Sequence, residues 1–238
     1  MGETRTGDLS GIRACLFDVF GTVVDWRGSV ERELSTFAAA KGITGVDWLR
    51  FAKDWRRLYD PAMQEVRSGR RDFVILDVLH RENLVTLLER YEIGGLTDAD
   101  VDEMNLVWHH LDPWPDSVEG LTRLKSRYVI APCSNGNIAL IVDMAKRAGL
   151  PWDVVLGSEP TRSYKRSPQT YLASCRMLGI DASEALMVAA HNVDLDAARE
   201  CGLRTAFVPR PTEWDKEAGE GVDVVADDFV ALAAALGC

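Results

Sequence analysis

The five cysteines, Cys15, Cys133, Cys175, Cys201 and Cys238, are odd in number and form no CxxC pair. That argues against a disulfide framework and for free thiols in a reducing, cytoplasmic compartment, with Cys15 and Cys133 as small core residues. Basic residues are scarce: 27 Lys plus Arg stand against 37 Asp plus Glu, a net charge of −10. No Lys/Arg block occurs, so nucleic acid is not an expected partner. No apolar run approaches the ~18 residues of a membrane span, so no membrane partner is expected either. The first residues lack a cationic-then-apolar leader pattern. Gly2 and Thr6 match a loose acylation pattern, read here as a chance match. Internal repeats and low-complexity segments are absent as well.

What is present is a globular composition, 47% apolar and 27% charged over 238 residues. Such a chain can bury a sizeable core, one large domain or a core with a smaller piece. Short apolar runs recur at Ile12–Phe17, Tyr128–Cys133, Val154–Leu156, Ala185–Ala190, Thr205–Val208 and Val222–Val225. Near-continuous apolar runs of this length read as strands of a parallel sheet buried on both faces. Helical patterns lie between them, at Asn137–Ala148, Pro168–Leu178 and Asp194–Cys201, each followed by a glycine. The alternation predicts an α/β fold with a doubly wound, Rossmann-like parallel sheet.

One stretch does not alternate. Between Gly28 and Asp112 no strand is evident, while Trp48, Phe51, Trp55, Leu58, Ala62 and Val66 recur at helical steps. Val101, Met104, Val107 and Trp108 do the same. An all-helical cap over 28–112 is therefore expected, inserted between the core segments 1–27 and 113–238. Asp112-Pro-Trp-Pro-Asp116 is the expected hinge, because each proline blocks helix continuation.

In open α/β sheets, ligands bind beyond the C-terminal ends of the strands. There the sequence places Asp18, with Phe20, Gly21 and Thr22, after the first strand, and Ser134-Asn135-Gly136 after the second. Lys165 and Tyr171 follow the third, and His191-Asn192-Val193-Asp194 the fourth. Singly, each has an ordinary reading as a turn, a cap or a surface charge. Four polar groups at four equivalent strand ends point to one site. An ionised Asp beside a Lys is equipped for covalent catalysis by a carboxylate. Arg56 and Arg57, on the cap helix, are placed to close over it.

These motifs, in this order, resemble the haloacid dehalogenase superfamily. Its phosphatases carry a second Asp two residues after the first and a Gly-Asp-x-x-x-Asp pattern for Mg²⁺. Here Phe20 stands at the second Asp, the phosphatases' general acid/base, and Ala190 at the first acid of the Mg²⁺ pattern; a phenyl ring cannot shuttle a proton and a methyl group cannot bind Mg²⁺. The chain is instead similar to the type II 2-haloacid dehalogenase branch, with Asp-x-[Phe/Tyr]-Gly-Thr and no metal or other cofactor. The resemblance implies hydrolysis of a small halogenated carboxylic acid (a haloacetate or L-2-halopropionate) to a 2-hydroxy acid and halide; fluoroacetate is a further candidate, because His191 and the arginines could stabilise fluoride as it leaves. A phosphatase or phosphonate hydrolase is the alternative. The resemblance makes Asp18 the nucleophile, Asp194 the group that activates water, and Lys165 the partner of both. Thr22 would fix the nucleophile, and Ser134, with amides near Phe20, would hold the substrate carboxylate. Asn135 and a cap arginine would cradle the halide, Arg56 matching better than Arg57. Tyr171, six residues after Lys165, also fits the pattern. A homodimer is implied too.

The chain departs from the pattern at the last motif. Ala189, Ala190 and His191 replace Ser-Ser-Asn, while the 29-residue spacing from Lys165 to Asp194 is kept. His191 is then expected to hydrogen-bond the Asp18 ester or the hydrolytic water, with Asn192 as the other source of the lost amide. Val193 stands where some members place an aromatic. Lys165-Arg166-Ser167-Pro168 lacks the first proline of the usual Lys-Pro-x-Pro.

Overall fold

In the computed structural model, which describes residues 8–238, the apolar runs form a parallel sheet. The Gly2/Thr6 pattern lies outside the described residues. Strand β1 (Ala14–Phe17) leads through the Asp18 loop to a two-residue strand, β2 (Val24–Asp25). Four helices follow, α1 (Trp26–Lys41), α2 (Trp48–Arg67), α3 (Leu76–Arg90) and α4 (Asp98–Asn105), the last continued by a 3₁₀ turn over Leu106–His109. The chain returns through β3 (Asp112–Pro113), α5 (Ser117–Lys125), β4 (Val129–Ser134), α6 (Ile138–Ala148), β5 (Leu156–Gly157), α7 (Ser158–Thr161) and α8 (Pro168–Leu178). It ends with β6 (Ala185–Ala189), α9 (Asn192–Glu200), β7 (Arg204–Phe207), β8 (Val224–Val225) and α10 (Phe229–Ala235).

The six-stranded sheet runs β5-β4-β1-β6-β7-β8, with every pairing parallel. Every residue of β1 and β6 is buried, as expected where helices cover both faces. β1 lies between β4 and β6, so the strand order reverses there. The loops after β1, β4 and β6 consequently open into one crevice. Helix ends follow the expected punctuation: Gly149 and Gly179 close α6 and α8 at φ of 71° and 67°, a conformation that costs glycine little.

Between β2 and β3 the described chain is helical. The expected α2 stripe is rotated: Phe51 and Trp55 are fully buried, but Trp48, Leu58, Ala62 and Val66 are only partly so. Tyr59 and Met63 turn inward instead. The cause is an aromatic cluster, with Trp108 edge-on to Trp55 at 5.5 Å and stacked on His80 at 4.5 Å and on Trp26 at 6.2 Å. Each such buried ring contributes on the order of 2–3 kcal/mol through apolar burial.

The Asp112–Asp116 segment is not a free hinge. Asp112 and Pro113 pair with Asp25 and Val24, and the Trp114 amide and indole donate to Val23 and Gly21 carbonyls, both at 3.0 Å. Prolines that end a helix are equally suited to an edge strand, which asks no donor of them. Side chains also tie cap to core. Asn137 donates to Asp77 at 2.8 Å, His109 lies between Asp77 and Asp143, and Arg67 donates to the Lys165 carbonyl at 2.9 Å.

Candidate active site

A cavity of about 350 Å³ lies where the crevice meets α2. Asp18, Asn135, Lys165, His191, Val193 and Asp194 line it from the core side, and Arg56, Arg57, Tyr59, Asp60 and Met63 from the cap. Arg166 and Trp214 complete the wall.

Asp18 follows β1 and is held at both oxygens. Thr22 Oγ1 donates to Oδ2 at 2.7 Å, and His191 Nδ1 lies 2.9 Å from the same atom. Lys165 Nζ donates to Oδ1 at 2.7 Å. Thr22 is itself fixed, because its Oγ1 accepts from the Ala190 amide at 2.9 Å. Burial alone would raise the Asp18 pKa. The Lys165 charge and the His191 hydrogen bond outweigh it and hold the carboxyl well below the usual range. Asp18 is thus an anion at neutral pH, and only Oδ1, with one bond accepted, keeps a free in-plane lone pair.

Lys165 bridges two carboxylates, donating also to Asp194 Oδ2. Burial disfavours its charge, but Asp18 and Asp194 more than compensate and push its pKa up. Tyr171, fully buried, donates to Asp194 Oδ1. For Asp194, burial is the largest influence and Asp18 adds to it, so its pKa is raised despite Lys165. The site therefore holds one carboxylate pushed down and one pushed up, the separation expected of a nucleophile and a proton acceptor.

His191 caps α9 and touches two carboxylates, Asp18 through Nδ1 and Glu213 Oε2 through Nε2 at 2.8 Å. Burial works against a charged ring, but those two hydrogen bonds push its pKa up to about 9. On the cap side, the Arg56 guanidinium lies 3.8 Å from the Tyr59 ring centre and also over Trp26 and Phe20. The side chain lines the cavity, and among the described residues its fully buried Nη1 has no hydrogen-bond partner, so the guanidinium's charge is available to an anion there. Arg57 also lines the cavity, but its side chain is 77% exposed and pairs with Asp54.

Not every expected residue faces the cavity. Phe20 is buried edge-on against Trp108 at 5.9 Å and Tyr59 at 6.4 Å. Its ring lies beneath the Arg56 guanidinium at 5.8 Å; the role expected here belonged to the main-chain amides beside it and not to the ring. Nor does Asn192 supply the missing amide. Its side chain donates to Glu217 O and accepts from Gly219 N, binding it to the 208–222 segment. A first-turn residue one step past the helix cap points off the site by the helical rotation of ~100° per residue. Ser134 sits at the strand end but outside the cavity wall, its Oγ accepting from Gly136 N at 3.0 Å. Thr22 and Tyr171 hold Asp18 and Asp194 from behind. Asn135 stays in the wall while its Oδ1 accepts from Lys165 N at 2.8 Å.

Glu213 and Trp214 escaped the sequence reading. Glu213 is 2% exposed and also accepts from Trp26 Nε1 at 2.9 Å. It stands in an irregular acidic stretch with no periodicity, where a carboxylate reads as solvated. Gly21 makes room for it in the structure: an added Cβ there would lie 2.7 Å from the Glu213 carboxyl carbon, and its φ is +87°.

With this geometry established, the comparisons with known proteins fall into place. The model of the haloacid dehalogenase-like hydrolases matches residues 12–202, and the chain belongs to that family of hydrolases. Among solved structures, it is similar to a defluorinating L-2-haloacid dehalogenase at 46% identity and TM-score 0.92, covering 95% of this chain and 96% of the other. A second L-2-haloacid dehalogenase structure is 40% identical at TM-score 0.90, covering 95% and 100%. A curated relative, (S)-2-haloacid dehalogenase 4A of Burkholderia cepacia, is 27% identical over 87% of this chain and 88% of its own.

Proposed function

We propose that the chain hydrolyses short 2-haloalkanoic acids to 2-hydroxy acids through an ester on Asp18, without a metal. Haloacetates, including fluoroacetate, and L-2-halopropionate are the proposed substrates. The observation that carries the reading is the Asp18 carboxylate. It is ionised, gripped from behind by Thr22, His191 and Lys165, and set in the cavity with the unpartnered Arg56 guanidinium.

In the first step an Oδ1 lone pair attacks C2 of the acid. The C–X electrons leave with the halide, whose growing charge meets Arg56. Asn135 and Arg166 in the wall suit the substrate carboxylate. In the second step water attacks Cγ of Asp18 and gives a proton to Asp194. Collapse breaks the Cγ–Oδ1 bond, the departing alkoxide recovers that proton, and the regenerated carboxyl releases the other to solvent. The sum is haloacid plus water giving hydroxy acid, halide and a proton.

The residues present do not suit the Mg²⁺ of phosphatase relatives in this fold. Phe20 is packed into the cap cluster, Ala190 offers no oxygen, and the Lys165 ammonium already joins Asp18 to Asp194. No step is routed through a cation. The fluoroacetate proposal draws on the defluorinating neighbour together with the Arg56 guanidinium in the cavity wall. Fluoride needs strong hydrogen-bond donors as it leaves.

The test is halide and hydroxy-acid release from chloroacetate, fluoroacetate and both enantiomers of 2-chloropropionate, with and without EDTA. Release from the L-acid and the acetates that survives EDTA is expected. Phosphate-ester hydrolysis that needs Mg²⁺, with no halide from any acid, would overturn the proposal.

A further inference from the structure

His191 lies between two carboxylates that accept hydrogen bonds and, when ionised, have no proton to give. Nδ1 faces Asp18 Oδ2 at 2.9 Å and Nε2 faces Glu213 Oε2 at 2.8 Å. Both nitrogens must then donate, which requires the imidazolium. Glu213 is built to hold that state. Its second oxygen accepts from Trp26 Nε1, its side chain is 1% exposed, and Gly21 leaves room for its approach.

We propose that Glu213 is a positioning residue of the hydrolytic step. It keeps His191 doubly protonated with Nδ1–H on Asp18 Oδ2, so that His191 and Thr22 form the oxyanion hole for water attack on the Asp18 ester. This inference rests on the ester mechanism proposed above. Esterification at Oδ1 leaves Oδ2 as the ester carbonyl oxygen. When water adds to Cγ, the π pair moves onto Oδ2, where Thr22 Oγ1 at 2.7 Å and the imidazolium already point. Donors placed in advance on the atom that gains charge need no reorganisation during the step. Before esterification the same two bonds only steady the carboxylate, so the hydrolytic half gains more from them than the halide-releasing half.

The groups facing His191 from each side decide its titration. Asp18 and Glu213 touch it, and Asp194 and Lys165 lie beyond Asp18. Arg56 acts on Glu213 from the cap, and Asp215 accepts from the Asn192 amide next along the chain. The ring titrates at about 9. Since the protonated ring is the working form, hydrolysis holds below that pH and falls as pH rises through it.

The test has two arms. Nitrogen-15 NMR of labelled His191 reads its charge in the free enzyme. An imidazolium at pH 7.5 is expected in the wild type, and a ring that loses its proton near or below neutrality in E213Q. The second arm is rapid-mix kinetics with chloroacetate. E213Q is expected to slow ester hydrolysis by about 10- to 100-fold, in keeping with a weakened oxyanion donor, and to slow the halide burst less, so that the ester accumulates on the chain. H191N, whose amide donates without titrating, is expected to lose the alkaline limb and to make E213Q silent on the pH profile. A neutral ring in the wild type at pH 7.5, or E213Q slowing burst and hydrolysis equally, would overturn the assignment of Glu213. If no haloacid reacts with the wild type, the function has failed, and the NMR arm still decides the charge of His191.

Discussion

Arg56→Met separates the two things a buried arginine can do. The substitution keeps most of the stem and removes the guanidinium. For stability, two effects oppose each other. Deleting a buried donor that has no partner, Nη1, relieves a desolvation penalty of about 1–3 kcal/mol. Losing the cation over Tyr59 at 3.8 Å costs about 0.5–2 kcal/mol. The net falls between a loss of about 1 and a gain of about 2.5 kcal/mol. For catalysis only one sign is available. A charge-assisted hydrogen bond to the leaving halide is worth about 1.5–3 kcal/mol, which is a drop of about 10- to 150-fold in kcat/KM. The assay pairs halide release from chloroacetate with urea unfolding of the same preparation. Activity should fall by that factor while the unfolding free energy stays within that range of the wild type. A kcat/KM within about threefold of wild type would refute the halide role. A stability loss above about 3 kcal/mol would make Arg56 a structural prop.

Other perturbations read other parts of the site. Tyr171→Phe leaves Asp194 Oδ1 without its donor, so ester hydrolysis should slow by about 10- to 150-fold, the equivalent of one charge-assisted bond, as followed by single-turnover kinetics. Because burial raises the Asp194 pKa and its base form accepts the water proton, kcat should fall on the acid side at a pH above the ordinary Asp value, as a kcat–pH profile would show. At the cap–core contact, burial opposes a charged His109, but Asp77 and Asp143 outweigh it and raise its pKa. Its stabilisation is then fully present below about pH 6.5, the unfolded value, and is lost as pH rises through the raised folded value. Urea unfolding should therefore show a larger deficit for His109→Gln at pH 5.5 than at pH 9.

The central strands and the charged triad were legible for a common reason. β1 and β6 are buried throughout and β4 is buried beyond Val129, so they read as apolar runs. A parallel sheet places whatever follows them at one edge, which brought Asp18, Asn135, His191 and Asp194 to a single crevice. Lys165 was legible as the only lysine between the β5 region and α8. Contacts made across the chain were not legible. Nothing local in Glu213 announces that His191, 22 residues away, and Trp26, 187 away, will bury it. At Phe20 the motif position fixes the backbone, while the cap aromatics decide where the ring packs. Asn192 was misjudged because a step of one residue at a helix start turns a side chain to another face. The α2 stripe shifts to Phe51, Trp55, Tyr59 and Met63, a step of four residues, with Trp55 and Tyr59 packed on His80.

The origin of the new hydroxyl oxygen tests the aspartyl ester most directly. A single turnover of chloroacetate with excess enzyme in H₂¹⁸O, followed by mass spectrometry of both the glycolate and the Asp18 peptide, reads it. The account predicts unlabelled glycolate, its oxygen taken from Asp18 Oδ1, and one ¹⁸O in the Asp18 carboxyl. Labelled glycolate with an unlabelled Asp18 would mean that water attacks the substrate carbon itself, and would contradict the covalent mechanism.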